Sequence, residues 1–256
     1  MTTGFSLHIG VNRVDSKHYD GWEGHLKACE NDACDMKKLA EKVGYKAEKL
    51  LTPRATRKNV TSAIKKVAEK TKKGDIFFLS YSGHGGQVTD IDGDESDGKD
   101  ETWCLFDAQL LDDEIFYLYA AFPSGVRIIV LSDSCHSGSV IRAESVRCMP
   151  ASRSADVYLK NKSFYDSLQR GAKPPKVKAT VQLISGCQDE QYALDGDVNG
   201  LFTETLLRVW GNGSFKGDYR SIHREILNQM PPDQSPNHYS YGSNFEDFES
   251  ESPFQI

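Results

Sequence analysis

Two residues with complementary chemistry stand in similar surroundings. His84 lies in Tyr81-Ser82-Gly83-His84-Gly85-Gly86, and Cys135 lies in Ser132-Asp133-Ser134-Cys135-His136-Ser137-Gly138. A thiol needs a neighbouring base to become a thiolate near pH 7, and imidazole is the side chain suited to that task. The glycines let backbone approach a substrate closely and free N–H groups for a developing oxyanion. A lone His or Cys after an apolar strand is more often structural. Two of them, each followed by small residues, favour a nucleophile and its base. They stand 51 positions apart, so the fold must bring them together. His136, next to the cysteine, points to the opposite face if strand geometry persists.

The elements that must do this are legible as an alternation of strands and helices, which predicts an α/β fold with a mostly parallel sheet. The runs 75–82 and 126–133 are almost unbroken apolar sequences bounded by polar residues, the pattern of strands buried on both faces. Further strands are expected at 5–11, 45–51 and 179–185. Helices are expected at 31–43, 55–72, 110–120, 201–210 and 219–230, each with an apolar stripe or a glycine stop. In such sheets ligands bind at the carboxyl ends of the strands, where both motifs fall. Two stretches break the alternation: the acidic loop 90–101, and the segment 140–178 with nine Lys or Arg against three acids. A connection of that length is either functional or partly disordered. Prolines 231, 232, 236 and 253 predict a mostly extended tail.

The bulk composition excludes several classes. A chain of 256 residues, 38% hydrophobic and with net charge −6, can bury a substantial core and lacks the basic balance of a nucleic-acid binder. No apolar run reaches the roughly 18 residues of a membrane span, and the first residues lack a signal-peptide pattern. A cytoplasmic location is the expectation. The six cysteines are dispersed and include no Cys-x-x-Cys pair, so free thiols are expected and zinc is not.

Several motifs together resemble the metacaspase branch of the caspase-like cysteine peptidases, peptidase family C14, of the prokaryotic type. Besides the His84 and Cys135 motifs they include Cys29-Glu30-Asn31-Asp32-Ala33, the acidic run from Asp92 to Glu101, Asp112-Asp113, Gly186-Cys187-Gln188-Asp189-Glu190-Gln191-Tyr192-Ala193 and Gly200-Leu201-Phe202-Thr203. The caspase signature Gln-Ala-Cys is replaced by Asp133-Ser134-Cys135. The resemblance spans nearly the whole chain. It implies one peptidase domain, 1–256, folded as a caspase-like three-layer αβα sandwich. Residues 1–139 would form a large-subunit-like half, 140–178 a basic linker and 179–256 a small-subunit-like half. It further implies a Cys135–His84 dyad, with the oxyanion on the N–H groups of Gly85 and Cys135 and no third catalytic residue. A monomer is implied, and any regulatory domain or activating partner would lie on another polypeptide.

Strand parity adds specificity. Residues i and i+2 of a strand share a face, so Asp133 and Ser82 should line the pocket beside Cys135 and His84. Cys29 and Asp32, three apart at a helix start, can face one site. In metacaspases the equivalent positions form the pocket for the residue before the cut bond. Two carboxylates there favour a cation, which predicts protein or peptide substrates cut after Arg or Lys and not after Asp. Taken alone, Asp32 also reads as a helix N-terminal residue. Arg142, Arg147, Arg153, Lys160 and Lys162 then become candidate self-cleavage sites of a zymogen, against the alternative of a solvated charged loop.

The acidic loop suits a hard cation, since clustered carboxylates repel one another without one. The resemblance implies Ca²⁺ held by Asp97 or Asp100 with Asp112 and Asp113, and no organic cofactor. It also leads one to expect a carboxylate soon after the nucleophile. Ser139, Val140, Ile141 and Arg142 offer none, and Glu144 is the nearest. Two other functions compete with a peptidase: an idle module that holds basic peptides in an acidic cleft, and a calcium-regulated structural domain. The second leaves both strand-end motifs unexplained.

Overall fold

The two doubly apolar runs become neighbouring strands at the centre of the molecule. The computed structural model describes residues 2–91, 93, 95, 97–135, 146–169, 176–188 and 191–256. The first half runs β1 (Gly4–Gly10), α1 (Cys29–Lys42), β2 (Lys46–Leu51), α2 (Arg57–Lys70) and β3 (Ile76–Ser82). A small meander follows, β4 (Gly85–Thr89), β5 (Lys99–Cys104) and β6 (Gln109–Leu111), then α3 (Asp112–Ala120) and β7 (Arg127–Asp133). Next come α4 (Ala151–Lys160), α5 (Lys162–Gln169) and β8 (Thr180–Ser185). The chain closes with α6 (Leu201–Trp210), α7 (Tyr219–Gln229), β9 (Asn237–Tyr241) and α8 (Phe245–Glu249).

The main sheet has the order β2-β1-β3-β7-β8-β9 and is parallel except for β9, which runs antiparallel to β8 at the edge. Alternation along the central strands divides the core into two layers. Phe77, Leu79 and Tyr81 join Val60 and Ile64 of α2 and Ile115 and Leu118 of α3. Ile76 and Phe78 turn the other way, to Met36 and Leu39 of α1, Leu206 and Trp210 of α6 and Ile222 and Ile226 of α7. Burying a strand on both faces requires helices on both, and the three layers follow from that.

Some expectations shift. The helix expected over 110–120 begins only at Asp112, because Gln109–Leu111 pair with β5 as a strand. The capping arrangement fixes that boundary: the Glu114 carboxylate accepts from Leu111 N at 3.2 Å. The linker carries two amphipathic helices, α4 and α5, and the tail expected to be extended contains both β9 and α8. The acidic stretch is the turn joining β4 to β5 and the start of β5.

Candidate active site

β3 and β7 pair in register, with Ser82 opposite Asp133. Both strands end there, so the next residues, His84 and Cys135, leave the same edge of the sheet. Both are buried. His84 Nε2 lies 2.9 Å from the carbonyl oxygen of Gly24. A carbonyl can only accept, so Nε2 carries the proton and Nδ1 keeps its lone pair. Nδ1 has no hydrogen-bond partner among the described residues. Burial pushes the imidazole down to about 4, opposed by the Gly24 carbonyl and by Cys135, so the ring is neutral at pH 7. It rests against Trp22, ring centroids 4.8 Å apart. The His84 backbone is fixed as well: its carbonyl accepts from the Tyr81 hydroxyl at 2.7 Å and from Cys104 N at 2.9 Å.

Beside His84 and Cys135 lies a pocket built from four elements, and it contains a side chain from the segment between β7 and α4. Arg147 is wholly buried. Its guanidinium donates to Asp32 Oδ2 at 2.6 Å, Asp195 Oδ1 at 2.9 Å, Ser82 Oγ at 2.8 Å and the Asp133 carbonyl oxygen at 3.3 Å, and it forms an ion pair with Asp133 Oδ2 at 2.8 Å. The carboxylates are themselves anchored. Asp32, in the first turn of α1, accepts from Gly200 N at 3.0 Å, Asn199 Nδ2 at 3.0 Å and the Ser82 hydroxyl at 2.7 Å. Asp133 accepts from the hydroxyl and N–H of Thr203, in the first turn of α6. Asp195 accepts from Lys27 N at 2.7 Å. Burial and the neighbouring Asp32 push Asp133 up to about 6, with Arg147 and Thr203 pulling against them. Burial pushes the Cys29 thiol up to about 12, with Arg147 and Ser82 pulling against it. At Gly200 a Cβ would stand 2.5 Å from the guanidinium, so only glycine admits the cation there.

The backbone around Arg147 completes the arrangement. Its carbonyl oxygen accepts from Cys135 N at 3.2 Å and Gly85 N at 3.1 Å. Its own N–H donates to Ala193 O at 2.9 Å, and Met149 N donates to Gly85 O at 2.8 Å. Residues 146–149 thus run through the cleft as an added strand, bridged to Leu194 on one side of Arg147 and to Gly85 on the other. Peptides dock on sheet edges in this manner. An open cleft of about 790 Å³ adjoins them, lined among others by Trp22, Leu26, His84, Cys148 and Asp197.

The predicted site residues therefore separate. Cys135, His84, Gly85, Asp133, Asp32, Ser82 and Cys29 come together at one end of the sheet. The metal candidates lie elsewhere, at the β4–β5 turn and the start of α3. Oxygens of Glu95, Glu101 and Asp112 lie within 4.8 Å of one another. Asp112 is pushed up to about 8 by burial and by the charges of Glu101, Asp100 and Asp113. A donor set of carboxylate oxygens with that mutual repulsion fits a hard cation. Asp100 is buried on β5, Asp113 lies in the first turn of α3, and the exposed Asp97 carboxylate accepts from Lys99 N. His136, Arg142 and Glu144 lie outside the described residues. Sequence reasoning missed Asp195 and the Gly24 carbonyl. Asp195 had a signal: it follows the Gly186–Ala193 motif by two residues, but nothing local tied it to Asp32.

The model of the caspase domain, peptidase family C14, matches residues 14–246, and the chain belongs to that family. It is similar to Metacaspase-1 of Schizosaccharomyces pombe, 29% identical over 249 residues covering 78% of this chain and 57% of that protein. Metacaspase-1 of Cryptococcus neoformans is 36% identical over 151 residues, covering 53% of this chain and 32% of that protein. The chain spans little more than half the length, or less, of these curated relatives. Among solved structures, a Geobacter sulfurreducens protein is 50% identical with a TM-score of 0.93, covering 99% of both chains. Caspase-1 of Spodoptera frugiperda shares the fold at a TM-score of 0.59 and 11% identity, covering 94% of this chain and 88% of that one. No helix among the described residues is long and apolar enough to cross a membrane.

Proposed function

We propose that the chain is a cysteine endopeptidase that cuts proteins after Arg, and after Lys, through Cys135 and His84. One observation carries the reading: a buried guanidinium sits among three carboxylates while the carbonyl of the same residue accepts from the N–H groups of Cys135 and Gly85. A substrate arginine bound this way presents its carbonyl to the Cys135 thiolate. Nδ1 of His84 takes the thiol proton and later delivers it to the leaving amine. The two N–H groups hold the oxygen as it gains charge. The Gly24 carbonyl keeps the imidazole in the tautomer this requires. Lysine would reach the same carboxylates as a point charge without the two-pronged geometry, so Arg should be preferred. Glu95, Glu101 and Asp112 would hold Ca²⁺, which would neutralise a charged turn beside β5, the strand paired with the Gly85 strand.

Fluorogenic Arg, Lys and Asp peptides, with and without Ca²⁺, test this against Cys135→Ala. Hydrolysis of the Arg peptide that disappears in the variant is expected. Faster cleavage of the Asp peptide would overturn the specificity. If wild type and Cys135→Ala hold Arg peptides equally and neither cuts them, the chain is a binding module.

A further inference from the structure

We propose that the groove between β2 and α2 binds an extended acidic peptide, which adds beside β2 as a seventh strand of the main sheet. The site stands apart from the residues of the endopeptidase reading and does not depend on them.

Charge is spread very unevenly along this chain. Residues 42–73 hold eleven of its 31 Lys and Arg and two of its 37 Asp and Glu. The stretch that forms β2 and α2 is therefore strongly cationic within an acidic protein. Four of these cations, Lys46, Arg54, Lys66 and Lys70, line an open groove of about 620 Å³ between the two elements, and all four are exposed. None of them forms an ion pair among the described residues, whereas Lys37, Lys38 and Arg57 each have an acidic partner. Unpaired like charges repel one another and attract an anion. The floor beneath them is apolar: Phe5, Leu50, Ala63 and Val67 are half-buried there and pack on the core.

Strand β2 supplies the rest of the site. It ends the main sheet and pairs with β1 alone among the described strands. Every second N–H and C=O along it therefore points to an open edge. An extended peptide can take up those groups, as strands added to sheet edges do. Side chains of a strand alternate, so Lys46, Glu48 and Leu50 face the groove. Ala47 and Lys49 turn the other way, Ala47 to the core layer under α1 and Lys49 to Cys34 of α1. A peptide with an acid at every second residue presents all its carboxylates to the groove cations.

Lysines on an edge strand also keep neutral strands away. The two roles agree, since a row of unpaired cations repels a second copy of this edge and admits an acidic strand. Glu48 lines the groove as well, and its carboxylate opposes such a peptide.

Fluorescence anisotropy of a labelled Glu-Val-Glu-Val-Glu-Val peptide, titrated with the intact chain, provides the test. The peptide has no Arg or Lys, so the proposed cleavage does not enter. Saturable binding below about 1 mM protein at low salt is expected, weakening as salt screens the exposed charges. Lys66→Gln combined with Lys70→Gln should lower the affinity about tenfold, and Glu48→Gln should raise it about twofold. Lys216→Gln combined with Arg224→Gln removes two exposed cations before and within α7, and should change it by less than about twofold. Each variant is checked for a cooperative thermal transition. Two peptides N-methylated on alternate residues report the strand geometry. One should bind like the parent and the other at least about tenfold more weakly, because only one set of N–H groups faces β2. No saturation, no response to the groove variants, an equal loss in the Lys216 and Arg224 control, or equal affinity of the two N-methyl peptides would overturn the proposal. So would an oligonucleotide of the same charge that binds as tightly, which would mark a surface for any polyanion. The endopeptidase reading is untouched by each of these outcomes.

Discussion

Asp195→Asn is the substitution that tests the pocket most sharply. The Asp195 carboxylate is 2.9 Å from the guanidinium nitrogen, and the two side chains are 6% and 0% exposed. Removing one partner of a buried, hydrogen-bonded charge pair costs about 2–5 kcal/mol. Two carboxylates, Asp32 and Asp133, remain on the cation, and asparagine keeps an oxygen that can accept. The lower end therefore applies, about 2–3 kcal/mol, or a 30- to 150-fold fall in kcat/KM for an Arg peptide at about 1.4 kcal/mol per tenfold. The assay compares Arg with citrulline, its neutral isostere. Wild type should favour Arg strongly, and Asp195→Asn should lose most of that ratio while hydrolysing citrulline peptides about as before. Asp195 also accepts from Lys27 N, so a merely structural role would slow both peptides alike. A fall under threefold for Arg, or equal falls for both peptides, would refute the assignment of Asp195 to cation recognition.

Other consequences can be measured separately. At Gly24, whose φ is +50°, a Cβ would stand 2.6 Å from the Trp22 ring and 3.0 Å from the His84 ring. Gly24→Ala should lower kcat by tenfold or more with little change in KM, and an unchanged kcat would mean that the Gly24 carbonyl does not position the imidazole. His8, bonded to Ser80 at 2.8 Å, is pushed down to about 3 by burial and by Lys37. Its folded form stays neutral while the unfolded chain takes up a proton below about 6.5, so its contribution to stability is whole above 6.5 and is lost as pH falls towards 3. Unfolding free energies from urea titrations of wild type and His8→Gln should therefore diverge by about 1.4 kcal/mol per pH unit below 6.5. The comparison isolates His8 from the buried carboxyls, which shift in the opposite sense, and a pH-independent difference would refute it. Calorimetric titration with Ca²⁺ should give binding heat that Asp112→Asn reduces at least tenfold in affinity, and no heat at millimolar Ca²⁺ removes the metal from the account.

Much of this site could be read from periodicity. Ser82 and Asp133, each two residues before His84 or Cys135, end neighbouring strands, and the paired register places them opposite each other. The apolar runs at 76–82 and 127–133 could hardly be anything but buried strands. The rest depends on pairings with no local trace. Asp195 joins Asp32 across 163 positions, and a backbone carbonyl such as that of Gly24 has no residue type to betray it. Leu110 and Leu111 read as the start of a helix, because a short apolar stretch satisfies either period until a partner strand appears. Among five candidate cations in the linker, composition could not favour Arg147. Its partners, Asp32, Asp133 and Ser82 foreseen and Asp195 not, did.

The pairing of β7 with β8 carries a different consequence. The linker leaves the sheet after β7 and returns to it at β8, and these two strands are bonded along six residues, from Arg127 with Thr180 to Ser132 with Ser185. A break anywhere between them divides the covalent chain without dividing the sheet. Unfolding would then change its molecularity: one folded particle would give two chains, and the melting temperature of a nicked sample would rise with protein concentration while that of the whole chain would not.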